Sequence, residues 1–213
     1  MRSVLASIVF VAAGCAYAQD YHLPFTGRWF VMQGGDTLNV NEHMRVLAQS
    51  YGIDFAKVDG PNKRALVRST GSNAEDFFSW GEPVLSPVDG EVTTVVDGLP
   101  DNSLGDKDES HPAGNHVVIQ AASNRYVYIA HLKRASVIVK PGKHVASGQL
   151  LGKCGNSGNS DFPHIHMHVQ DTSTFNIGNG QNIEFTGISV ELTGKQFHDV
   201  KWPLIRGLFV SNE

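Results

Sequence analysis

The chain has 213 residues, 41% of them hydrophobic and 18% charged, with a formal net charge of −4. This composition is too apolar and too weakly charged for a disordered chain, and it fits one globular domain with extensions. A slightly acidic balance gives no electrostatic pull toward nucleic acid or anionic lipid, so neither is an expected partner.

The first residues, "MRSVLASIVFVAAGCAYAQD", place Arg2 before an apolar stretch over 4–13, followed by an A-x-A pattern at Ala16-Tyr17-Ala18. That order is the order of a secretory signal peptide. Residues 1–18 are therefore expected to be removed and the mature protein exported, to a periplasm or to the outside. "AAGC" loosely resembles a lipid-attachment site, which makes lipidation at Cys15 the competing reading. Ala12 stands where such sites usually carry a larger aliphatic residue. No other stretch has the length and apolarity of a transmembrane helix. Loss of the leader leaves Cys154 without a disulfide partner, and a small buried residue beside a turn is the expected role for it.

Residues 19–40 read as an N-terminal extension of a strand or two, with Trp29 and Phe30 packing. Helical periodicity is scarce, and its best instance, over 44–50, is weak. Short β-rich runs dominate from there on. "EPVLSPVDGEVTTVVDG" is broken at Pro87 and at Asp89-Gly90. "NHVVIQ" and the alternating "RYVYIAHL" follow, then "ASVIVKPGKHVASGQLLGKCG" with its Pro-Gly and Ser-Gly turns, then "HIHMHVQ" and "GISVEL". Short strands with closely spaced turns predict an all-β sandwich or open barrel. Residues 60–79 and "DGLPDNSLGDKDESHPAGN" read as exposed loops, the second as the rim of a cleft. Residues 176–213 are expected to add strands that complete the domain.

Three places carry chemistry. "PHIHMH" puts His164, His166 and His168 at every second residue, so a strand would turn all three to one face and Ile165 and Met167 to the other. Imidazoles on one face are a natural place to hold a metal. His131 lies near the end of "RYVYIAHL", where its ring can face a cleft. "NEHMRVLAQSYGIDF" contains His43 and, between Ile53 and Phe55, Asp54.

These segments resemble the zinc metallopeptidases of the lysostaphin and LytM type, peptidase family M23. "YGIDF", "WGEPVLSPVDGEV", "GNHVVI", "YVYIAHL", "VKPGKHVASGQLLGKCGNSGNS" and "PHIHMHV" occur in the family's order. The resemblance implies an antiparallel β fold with long loops around a zinc cleft, with its core over 41–175. It implies one zinc per chain, held by an early histidine, Asp54 and His166, and a catalytic pair formed by His131 and His164. The family's usual early motif is H-x-x-x-D, which asks for histidine at position 50, where this chain has Ser50. His43 is the expected replacement, His22 a more distant candidate, and loss of that ligand the alternative. His168 stands where many relatives have glutamate; it could support the site from behind the ligands, but it is expected to face solvent. His116, His144 and His198 match no catalytic position and read as surface or satisfied histidines; His111 reads as exposed in its charged loop.

With export, the resemblance implies a zinc metalloendopeptidase that hydrolyses peptide bonds by attack of a zinc-bound water. Its expected substrates are peptidoglycan stem or cross-bridge peptides, which the family often cleaves next to glycine. The alternative is a catalytically silent relative that binds the cell wall or activates another hydrolase.

Overall fold

The computed structural model describes residues 20–59, 64–198, 200 and 203–212. The expected signal peptide and Cys15 lie outside the described residues. Thirteen strands follow one another: β1 (Trp29–Gln33), β2 (Ile53–Lys57), β3 (Pro83–Leu85), β4 (Gly90–Val96), β5 (Asn115–Ala122), β6 (Arg125–Leu132), β7 (His144–Val145), β8 (Leu150–Lys153), β9 (Ile165–Gln170), β10 (Gly180–Gln181), β11 (Ile188–Leu192), β12 (Lys195–Phe197) and β13 (Phe209–Asn212). Among the described residues there is no α-helix, and none is long and apolar enough to cross a membrane.

The main sheet runs β12-β11-β13-β1-β2-β9-β6-β5-β4-β7, with β10 paired to β9 beside that path. All of its pairings are antiparallel. β3 and β8 form a separate two-stranded sheet. Val84 and Leu151 of that small sheet join one apolar cluster with the inner face of the large one, so the core lies between the two. The N-terminal segment closes it with Tyr21, Leu23 and Phe25, and Phe25 stacks on Trp29 at 4.4 Å between ring centroids. The expected all-β class holds.

β9 sits inside the large sheet, flanked by β2 and β6, and every one of its residues is buried. Ile165, Met167 and Val169 enter the apolar cluster. By the two-residue alternation of a strand, His166, His168 and Gln170 take the other face. The register sets Asp54 of β2 directly opposite His166, and Ala130 of β6 opposite it on the far side. Cross-strand partners share a face. Asp54 thus stands beside His166 while its neighbours Ile53 and Phe55 enter the core.

The weakly helical stretch becomes two short 3-10 turns, Glu42–Arg45 and Leu47–Gln49, with the extended residue Val46 between them. Asn41 caps the first turn. Its side-chain oxygen accepts from the His43 backbone N–H at 3.2 Å, and its amide donates to the carbonyls of Gly35 and Gly52.

Candidate metal centre

His43, Asp54 and His166 converge at the floor of a cleft of about 420 Å³. One ligand atom from each lies within 4.8 Å of the other two. His43 Nε2 is 2.9 Å from Asp54 Oδ2, and His166 Nδ1 is 2.9 Å from Asp54 Oδ1. His164 Nε2 approaches the same Oδ1 at 3.6 Å, and the rings of His131 and His164 lie 4.8 Å apart. All five residues line the cleft.

His43 is positioned by the Asn41-capped turn, and Gly52 leaves room for it. A Cβ on Gly52 would stand 3.1 Å from His166 Cε1 and 3.2 Å from His43 Cδ2, tighter than ordinary contact. Ser50, the family's usual histidine position, points elsewhere: a Cβ on Gly180 of β10 would sit 2.6 Å from its Oγ. His22 is exposed and stands outside the metal-ligating group.

His131 owes its place to a break in β6. Tyr128 and Ala130 pair with His168 and His166, whereas Ile129 pairs with Met167 and belongs to the core. Strict alternation would turn His131 to the core with Ile129. Its φ of +62° lies in the left-handed region, so the ring turns back toward the cleft and Leu132 takes the core position. The neutral ring donates from Nδ1 to the Ser157 carbonyl at 2.8 Å. His164 is held likewise, Nδ1 donating to the Phe162 carbonyl at 2.8 Å. In the His131 ring Nε2 is left with its lone pair.

The electrostatics follow from burial among like and unlike charges. Burial alone would raise the Asp54 carboxyl, but the neighbouring His43 and His164 outweigh it and hold it well below the usual range. Burial, with the neighbouring His43, pushes His166 down to about 4. Burial, with the His164 and His166 rings, takes His131 well below 6.5. Both rings are therefore neutral near pH 7, the form that can bind a metal or accept a proton. Two imidazoles and one carboxylate are a zinc-type donor set, and three protein ligands leave a fourth position toward the cleft. The residues present fit that ion.

His168 corrects the expectation that it faces solvent. It is fully buried, stacked on Tyr128 at 4.6 Å and 7°, and hydrogen-bonded between His166 and Gln170. The segment 171–179 covers it, with Phe175 6.0 Å from its ring. The sequence signal was present in the shared face of 166, 168 and 170; Gln170 went unremarked because glutamine in a strand is ordinarily solvated. His116 donates to the Gly114 carbonyl, His198 meets Ser189 Oγ, and His144 is exposed, so none of these joins the site. His111 is exposed and bound to Asp108 in its own loop. That loop nevertheless supplies Lys107, Pro112 and Ala113 to the rim of the cleft. Cys154 is buried and free.

Comparison with known proteins adds an independent finding. The model of the family described as Peptidase family M23 matches residues 70–184, just over half of the chain. The match contains His131, His164 and His166 and begins after His43 and Asp54. The chain is 34% identical over 99 residues to the peptidoglycan DD-endopeptidase ShyA of Vibrio cholerae, covering 46% of this chain and 20% of that protein. It is 28% identical over 145 residues to an uncharacterized metalloprotease of Haemophilus influenzae, covering 64% of this chain and 27% of that protein. It thus spans about a quarter or less of the length of these curated relatives. Among solved structures, the catalytic domain of the antimicrobial peptidase lysostaphin from Staphylococcus simulans superposes with a TM-score of 0.43 at 20% identity, over 72% of this chain and 86% of that one.

Proposed function

The chain belongs to peptidase family M23, and from that premise we propose that it is a zinc-dependent endopeptidase acting on peptidoglycan stem or cross-bridge peptides. The observation that carries the reading is the convergence of His43, Asp54 and His166 within 4.8 Å, on a cleft floor that His131 and His164 share. The activity named for ShyA supports the substrate class. The signal-peptide pattern in the sequence of residues 1–18 supports export, which would bring the protein to such a substrate. The core over 41–175, with the C-terminal strands added to its sheet, would form the catalytic unit.

In this reading His43, Asp54 and His166 hold the metal. A bound zinc supplies Lewis acidity, polarising the scissile carbonyl and lowering the pKa of a water to about 7. His131 and His164 move protons at Nε2, since each has its Nδ1–H fixed on a backbone carbonyl. Either ring can take a proton from the attacking water and return it to the leaving amine.

The test measures bound zinc and release of soluble peptides from purified cell wall for the wild type and four variants. His131→Ala and His164→Ala are expected to retain zinc and lose hydrolysis. His166→Ala and Asp54→Ala are expected to lose zinc. Retained zinc in Asp54→Ala overturns the ligand set, and zinc uptake by the wild type with no cleavage of any wall favours the silent alternative.

A further inference from the structure

The face of β9 opposite the core carries a chain of hydrogen bonds whose direction is fixed from its far end. Gln170 is fully buried. Its Nε2 lies 2.8 Å from the Thr172 carbonyl, 2.6 Å from that of Thr174 and 3.2 Å from that of Ile177. Carbonyls only accept, so the amide must turn its NH₂ to them and its Oε1 the other way. Oε1 is 3.2 Å from His168 Nε2. An amide oxygen also only accepts, so His168 carries its proton on Nε2. Among the described residues no carboxylate pairs with the buried His168 ring, which packs against Tyr128, Phe175 and His166. With its proton on Nε2 it presents Nδ1 as an acceptor, 2.8 Å from His166 Nε2. His166 must then donate from Nε2, and its Nδ1 is left facing Asp54 Oδ1 at 2.9 Å. Two acceptors at that separation repel unless a cation lies between them.

We propose that Gln170 and His168 are positioning residues: the carbonyls of the 172–177 segment orient Gln170, which fixes the His168 tautomer, which locks His166 as the Nε2–H form with Nδ1 committed to the divalent metal. The proposal rests on the metal site described above. A ligand histidine whose second nitrogen donates to a fixed partner is held in orientation and made more basic. The same residues tie down one wall of the cleft. Tyr128, stacked on His168, donates from its hydroxyl to the Ser173 carbonyl at 2.7 Å, and Phe175 and Asn176 of that segment line the cleft. The relay thus couples the ligand's tautomer to the placement of the wall that a substrate meets.

The test is long-range ¹H–¹⁵N imidazole spectroscopy of the wild-type protein, zinc-free and zinc-loaded, with zinc affinity by chelator competition for His168→Phe and His168→Gln. Phenylalanine keeps the stack on Tyr128 and removes the acceptor; glutamine restores one. The wild type is expected to show His166 protonated at Nε2 in both states, with only Nδ1 shifting on zinc addition. His168→Phe is expected to weaken zinc binding about 10–100-fold, and His168→Gln to recover most of the loss. A neutral Nδ1–H form of His166 in the zinc-free wild type overturns the proposal, as does wild-type zinc affinity in a folded His168→Phe. Failure of the wild type to take up zinc sinks the metal reading instead, and the zinc-free spectrum still decides whether the lock exists.

Discussion

Gly52→Ala separates the metal site from the fold that carries it. Gly52 lies outside the left-handed region of φ, so an alanine fits its backbone, and only space is at issue. The added Cβ would lie 3.0 Å from the Gln49 carbonyl oxygen, 3.1 Å from His166 Cε1 and 3.2 Å from His43 Cδ2. Both rings must retreat by a few tenths of an ångström. Overpacking of this kind costs about 1–3 kcal/mol. The loss of glycine's freedom in the unfolded chain returns about 0.4–1 kcal/mol. The melting temperature of the metal-free protein should therefore fall only modestly. Zinc is far less tolerant, because ligand distances hold to within about 0.2 Å. Zinc affinity should fall by about tenfold or more, which is about 1.4 kcal/mol. Gly152→Ala is the matched control: its Cβ would crowd Ser136 at 3.2 Å, away from the site, and zinc affinity should not change. Chelator competition and thermal melts of both variants read the two effects separately. Undiminished zinc affinity in a folded Gly52→Ala would mean that the His43 and His166 rings are not the pair that closes on the metal.

Two further outcomes follow from the same geometry. Burial lowers the His43 pKa, but the Asp54 carboxylate, with Glu42 behind it, outweighs burial and the net shift is upward from 6.5. In the metal-free protein that shift stabilises the fold below pH 6.5 and is lost as pH rises through the folded value. Zinc must displace the same proton, so affinity should tighten as pH rises through that value, and binding just above pH 6.5 should release protons. Calorimetry in two buffers of different ionisation enthalpy detects that release; identical enthalpies would contradict it. At His131, φ of +62° strains any residue with a Cβ, by about 1–2 kcal/mol. His131→Gly should be more stable than His131→Ala by about 1 kcal/mol or somewhat less, after glycine's unfolded-state entropy is subtracted. For a chain of this size that is a few degrees in Tm. Equal melting temperatures would remove the strain from the account.

The fold was legible because it is written in alternation. Ile165, Met167 and Val169 against His164, His166 and His168 gave both faces of β9, and Ile53-Asp54-Phe55 gave the inward carboxylate. Two things were only partly legible, each for a physical reason. The strand-end position of His131 pointed to the cleft, but alternation in "YVYIAHL" puts it on the core face, and the left-handed residue that reverses this leaves no mark in the sequence. His168 looked solvated because nothing local shows that residues 171–179 fold back across the sheet. That fold-back is fixed by Gln170 and Tyr128 bonding to backbone carbonyls well along the chain. The resemblance to the family pointed to the three residues of the candidate metal site, and the structure brings His43 beside Asp54 and His166. Seven residues upstream of Ser50, His43 reaches Asp54 because two 3-10 turns fold the segment back on itself.

The three side chains of the candidate metal site are not held equally. Asp54 and His166 are cross-strand partners inside an eleven-stranded sheet among the described residues, and His166 is backed by a hydrogen-bonded chain ending in three carbonyls. A buried polar network of that kind is tolerable only when every member is satisfied, and here each donor along it has its acceptor. His43 stands on a 3-10 turn, half-buried, with no strand pairing to hold it. It is anchored by Asn41, fully enclosed, which ties the turn at once to Gly35, to Gly52 and to the His43 backbone. The Gly52 carbonyl it grips belongs to the same residue whose missing side chain makes room for the ring. The candidate site is therefore two side chains fixed by the sheet and a third delivered by a capped turn. Changes at Asn41 and Gly52 should reach the metal through His43, whereas changes at His168 should reach it through His166.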